Sequence, residues 1–230
     1  MRFFKKLLDK KESETLRMDD SEAIFAMTSA SLLLEEKLNI KFAHTGSLCI
    51  KIIHGSHFRN TIRDCENLLN VSKEEFSFNY KIFKDTFGYL WFIIIGHDLN
   101  VKYNSITNIA AAISSLGDII EENGFTLQIL SVIFKFELLK NNDEWFESIV
   151  NSEEYLNSSS DKSKNIQQDI NMIDLYIIYN YKTNNFYPFI PNLRKNKDMS
   201  KEMKILSILK YSVPTENDFS KWYPIKDIPF

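Results

Sequence analysis

Four histidines, His44, His54, His57 and His97, are the side chains in this 230-residue chain best suited to metal binding or general-base work. His54-Gly-Ser-His57 has a spacing that can chelate. It falls in a strand-to-helix loop with no third ligand nearby, and a transition-metal site needs converging ligands. Cys49 and Cys65 stand alone, outside any metal or redox spacing, and fall on apolar faces of predicted elements. The chain opens without a secretory signal pattern, so reduced, buried thiols and a cytoplasmic location are expected. No Ser sits in a Gly-x-Ser-x-Gly elbow, and with 6 glycines the chain carries neither a P-loop nor a Gly-x-Gly-x-x-Gly phosphate cradle. Glu35-Glu36, Glu74-Glu75 and Glu121-Glu122 read as solvated surface on polar helix faces or in loops. These residues point to no metal, no cofactor and no catalytic set, and the expectation is a binding protein and not an enzyme.

Such a protein needs a framework, and the composition supplies one. Hydrophobic residues make up 44% and charged residues 26%, enough apolar material for a buried core. Aromatics reach 13%, mostly 18 Phe and 10 Tyr, so rings should dominate the packing. A net charge of −3 offers no diffuse attraction to phosphate backbones, which argues against nucleic acid as a partner. The longest apolar run, Tyr89 to Gly96, is a strand's length and far short of a membrane span.

Periodicity orders the elements. Asp20-Ser21-Glu22 opens an amphipathic helix to Leu38, with Phe25, Leu33 and Leu34 expected inside. Gly46 to Ile53 alternates as a half-buried strand, and Phe58 to Leu69 returns to helical spacing. The stretches from Phe76 to Lys84 and from Tyr89 to Ile95 form a hairpin about Asp85 to Gly88, the second strand apolar on both faces and central. Asp98 to Asn123 is the longest helix, its stripe made of Ile106, Ile109, Ala110, Ile113, Leu116, Gly117 and Ile120. Leu127 to Leu139 is a strand with Ile129, Ser131, Ile133 and Lys135 on one side and Leu130, Val132, Phe134 and Phe136 on the other. Residues 140–171 are polar, Ser-rich and acidic and read as a loop insertion, its segment around 157–164 expected to be a mobile surface loop. Met172 to Tyr181 is the last long strand, and Ser200 to Tyr211 a short helix. The order predicts one α+β domain over residues 19–230, a single mainly antiparallel sheet flanked by helices.

Two regions remain as binding candidates. In residues 1–18, Phe3, Phe4, Leu7 and Leu8 share one helical face, framed by Arg2, Lys5, Lys6, Lys10 and Lys11. Phe3, Phe4, Lys5, Lys6, Leu7 and Leu8 are therefore candidates for weak contact with an anionic membrane surface, against the alternative of a frayed or docked end. Further on, Tyr179, Tyr181, Phe186, Tyr187 and Phe189 concentrate rings and prolines, and Trp222 and Tyr223 repeat the pattern near the C-terminus. They are candidates for partner binding, against the alternative of a rigid corner covering the sheet.

The same segments carry a resemblance. Asp20-x-x-x-Ile-Phe-Ala-Met-Thr-Ser-Ala-Ser-Leu-x-Leu-Glu, Phe87-Gly-Tyr-Leu-Trp, Asn180-Tyr-Lys-x-x-x-Phe-Tyr-Pro-Phe-x-Pro and Lys221-Trp-Tyr-Pro-Ile-x-x-Ile-Pro-Phe230 resemble the PspA-associated protein PspAB family, also called HtpX-associated. The likeness runs from about Asp20 to the C-terminus. The chain departs from the family in a longer acidic insertion and in lacking the Asn-Ala-Leu-Glu-Leu pattern after Pro191. The resemblance implies an envelope-stress setting at the inner face of the membrane. It places the protein beside PspA, a membrane-remodelling coiled-coil protein, and HtpX, a membrane zinc protease. It brings no catalytic residue. The element order is also similar to the YbjN and type III secretion chaperone fold. An adaptor or regulator engaging PspA-like or HtpX-like proteins is the first expectation. A chaperone-like clamp for unfolded or membrane segments is the second, and a hydrolase of unknown type the third.

Overall fold

The computed structural model describes residues 19–97, 104–139, 172–191, 199–223, 225 and 228–230. Both the N-terminal segment 1–18 and the insertion at 140–171, with its segment 157–164, lie outside these residues. Helices α1 (Asp20–Leu38), α2 (Ser56–Ser72), α3 (Asn104–Glu122) and α4 (Ser200–Leu209) accompany six strands. The strands are β1 (Ile40–Lys51), β2 (Phe78–Lys84), β3 (Tyr89–Gly96), β4 (Ile129–Leu139), β5 (Met172–Asn180) and β6 (Asn185–Phe189). They form one sheet in the order β2-β3-β1-β4-β5-β6, and every neighbouring pair is antiparallel. The expected α+β class and single antiparallel sheet are what the chain adopts.

Alternation along the strands builds two apolar layers, one on each face. Leu48, Ile50, Phe92, Ile94, Val132 and Phe134 point to the helices and form the main core with α1, α2 and α3. Cys49, Trp91, Ile93, Ile133, Tyr176 and Ile178 point the other way into a second cluster. Helix α3 lies over β1 and β3, and α1 and α2 pack beside it. Its predicted stripe is buried throughout, from Ile106 to Ile120. The close approach of α3 requires Gly46, because a Cβ there would stand 2.7 Å from Cγ2 of Ile109.

The hairpin forms as expected, and Asp85 fixes its turn by accepting the N–H groups of Phe87 and Tyr89 on Oδ1, each at 2.9 Å. β3 is an interior strand between β2 and β1, buried on both faces as its composition predicted.

Four readings need correction. Helix α1 has the predicted bounds, but its buried face is Ala23, Ile24, Met27, Ala30, Ser31, Leu34 and Leu38. Phe25 is exposed and Leu33 only half-buried. Apolar residues surround this helix, and the small Ala23 and Ala30 select the face that comes closest to its neighbours. β1 begins at Ile40, six residues earlier than Gly46. Its first half escapes the alternation because a register shift lies between Phe42 and Thr45, with His44 in the left-handed region at φ 50°. On β4, a second irregularity pairs Cys49 with Ser131 but Ile50 with Ile129, so Leu130 is the extra residue. That bulge reverses the expected faces: Ile129 joins the helix-side core and Leu130 the opposite cluster. The aromatic run from Phe186 to Phe189, read as a binding candidate or a rigid corner covering the sheet, lies in the edge strand β6, which tolerates Pro188 because it needs few ladder donors. Its outer edge is covered by the chain itself: Phe186 N–H donates to Pro214 O at 2.8 Å and Glu216 N–H to Phe186 O at 2.9 Å.

Candidate functional site, an aromatic cavity

The described residues cover the second face of the sheet only in part. Near β6 the C-terminal tail lies against it: Trp222 stacks on Tyr187 with ring centroids 5.7 Å apart, and Tyr176 Oη donates to Phe230 O at 3.1 Å. Toward the other end of the strands the tail leaves a cavity of about 930 Å³. Its floor comes from the strand ends: Cys49, Trp91, Ile129, Leu130, Ser131 and Asn180. Phe87 and Tyr89 bound it on the β2–β3 side, Leu127 on the helix turn before β4, and Tyr223 and Ile225 on the tail. This volume lies within the range of ligand-binding clefts and would also hold several side chains of a peptide.

The rim is apolar and open to solvent. Leu127 is 90% exposed, Phe87 61% and Tyr223 52%. Large apolar side chains gathered at one opening are unlike the scattered exposure of an ordinary surface. Polar groups are few and placed at the ends. On the hairpin side Asp85 holds Trp91 Nε1 at 2.9 Å on Oδ2. At the β5–β6 turn Asp20 accepts a short hydrogen bond from Tyr179 Oη and another from Asn184 Nδ2 at 2.5 Å. Asn180 is buried, accepts Lys182 N–H on Oδ1 at 3.0 Å, and keeps an Nδ2 with no partner among the described residues.

Burial and neighbouring carboxylates raise a thiol, a phenol and one carboxyl group in this region. Burial first, and then the Asp85 carboxylate, push the Cys49 thiol far above its ordinary range, which suits it to packing and not to attack. Burial, followed by Asp20 and Glu121, does the same to the Tyr181 phenol. Beside it, Glu121 is held above its ordinary value by burial and then by Asp20, Asp118 and Asp19. Cys65 lies in the main core and is pushed up to about 12, chiefly by burial.

The predicted binding residues divide between these environments. Tyr179 and Phe186 belong to the helix-side core, with Tyr181 packed half-buried against it. Phe189 and Trp222 are buried in the opposite cluster, so their rings hold the tail and β6 in place. Tyr181, Tyr187 and Tyr223 line the cavity, Tyr187 almost fully buried in its wall. Phe3, Phe4, Lys5, Lys6, Leu7 and Leu8 lie outside the described residues. Both cysteines are buried as expected. His54 and His57 are exposed, His57 reaching Asn123 O at 3.2 Å, and among the described residues no three His, Cys, Asp or Glu side chains gather as a metal group. Sequence reasoning missed Asp20, Asp85, Trp91 and Leu127 as site residues. Trp91 was accessible through its alternation with Phe92; nothing along the chain marks Leu127.

The segments that build this wall are among those that carry the family likeness, and the comparison with family models covers the rest. The model of PspAB, PspA associated protein B, matches residues 1–230. The chain belongs to that family. Comparison with curated proteins and with solved structures found no match, so the expected likeness to the YbjN fold has no support from it. Among the described residues of this PspAB-family chain, no helix is long and apolar enough to cross a membrane.

Proposed function

We propose that this PspAB-family chain is a non-enzymatic adaptor that binds a PspA-like protein through the aromatic cavity, at the cytoplasmic face of the membrane. The family's name supplies the partner. The observation that carries the site is the apolar rim of Phe87, Leu127 and Tyr223 around an open cavity, the anatomy of a protein-binding surface with an apolar centre. Asp85 holds the hairpin turn and Trp91, Asp20 holds Tyr179 and Asn184 through Oδ1, and burial raises the Cys49 thiol, which favours recognition over bond-making. An HtpX-like protease is a further partner that the resemblance suggests. The chaperone-like clamp uses the same surface and differs in accepting any exposed apolar segment.

Affinity purification of the tagged chain from its own cells tests this reading. A PspA-like protein should co-purify, and a reductively denatured unrelated protein should not compete for it. Co-purification with many unfolded clients and no PspA-like protein would favour the clamp and overturn the adaptor.

A further inference from the structure

We infer that the cavity takes a basic amphipathic segment of the partner protein, with apolar side chains on its floor and a Lys or Arg at each end. This rests on the adaptor reading and specifies its ligand chemistry.

The placement of charge carries the inference. The two carboxylates that line the cavity among the described residues do not sit together: Asp85 belongs to the β2–β3 turn, and Asp20 is held at the β5–β6 turn by Asn184. In the strand order these turns are separated by four strand spacings, or roughly 19 Å at ~4.8 Å each. Between them the floor is apolar and aromatic, made by Trp91, Ile129, Leu130 and Tyr187. A helical segment would cover that span in about a dozen residues at 1.5 Å each. Among the described residues, the exposed Lys182 is the one basic side chain in the lining, and it stands at the Asp20 end. There the acids outnumber it, because Asp19, Asp118 and Glu121 lie close enough to act on one another. Asp118 and Glu121 are both pushed above their ordinary values, burial leading and neighbouring carboxylates following. A cation brought to this end relieves that repulsion, and the Tyr and Trp faces along the floor attract the same charge.

Isothermal titration of the full chain with two synthetic 18-residue peptides decides the matter. Both share a Leu/Phe face; one carries Lys near each end, the other Glu at those positions. The Lys peptide should bind, at least tenfold more tightly than the Glu peptide and more weakly as salt is raised. Asp20→Asn keeps the oxygen that accepts from Tyr179 and Asn184 but removes the charge, and it should weaken the Lys peptide at least threefold. Phe87→Ser with Leu127→Ser, both on the exposed rim, should weaken it further. Equal affinity for the two peptides, or an Asp20→Asn chain that binds as the parent does, would overturn the inference. Binding seen only in a truncation starting at Asp19 would assign the cavity to the chain's own basic N-terminal segment and overturn it as well. A PspA-like protein that binds the chain undisturbed by the rim substitutions would leave the adaptor standing and remove this site. Peptide binding without any PspA-like partner would do the reverse.

Discussion

Trp222 and Tyr223 are neighbours in the chain and opposites in the structure. Trp222 is 4% exposed, stacks on Tyr187 and donates from Nε1 to Glu216 O at 3.0 Å; Tyr223 is 52% exposed at the cavity rim. Trp222→Ala should therefore cost about 3–5 kcal/mol, seen as a lower denaturation midpoint, whereas Tyr223→Ala should change stability by less than ~0.5 kcal/mol and act on binding. Glu121 gives a pH-dependent counterpart. Its carboxyl is raised by burial first and then by Asp20, Asp118 and Asp19, so folding favours the protonated form. That contribution is present below the ordinary value of 4.5 and is lost as pH rises through the raised one. Glu121→Gln should therefore melt higher than the parent near pH 7, and the gap should close toward pH 4. A gap that widens on acidification would contradict the assigned sign.

Among the elements, the contact between β1 and α3 is the most constrained. Gly46 faces Ile109 and Ile113, with no room for a methyl group beside Ile109. Gly46→Ala should destabilise by about 1–3 kcal/mol through overpacking, and that cost should shrink in a double-mutant cycle with Ile109→Ala, which removes the Cγ2 in its way. The long elements were legible because their periods are clean: the α3 stripe and the β2–β3 hairpin follow directly from spacing and turn chemistry. What resisted reading is physically specific. Helix α1 is apolar around much of its circumference, so its inner face is chosen by the neighbours that pack on it. β1 and β4 carry irregularities that shift the period within a strand, which separates Leu130 from Val132, Phe134 and Phe136 and turns it to the cavity. β6 is five residues long and contains proline, and its strand character depends on pairing with β5 and on the segment around Thr215.

For the whole molecule, the aromatic-rich segments were visible in the sequence, but their division into packing and binding was not. Alternation sends Tyr179 and Tyr187 to different faces, and the cavity itself is formed by a turn, a bulge and a tail that meet only in the folded chain. The basic segment at residues 1–18 adds a second expected activity, salt-sensitive attachment to anionic vesicles, since each Lys or Arg near such a surface contributes ~1 kcal/mol before screening. In co-sedimentation the full chain should pellet at low salt, and a truncation starting at Asp19 and a Lys5/Lys6→Glu variant should not. Equal pelleting of all three would place the lipid contact elsewhere.

The central claim is that a PspA-like protein is received at the aromatic cavity, and titration calorimetry with the two purified proteins tests it most directly. The parent chain and a Val71→Ser control, altered at an exposed site on α2, should bind with the same Kd. Phe87→Ser with Leu127→Ser should raise that Kd at least tenfold while leaving the melting temperature unchanged. Binding by the double variant as tight as by the parent would contradict the account.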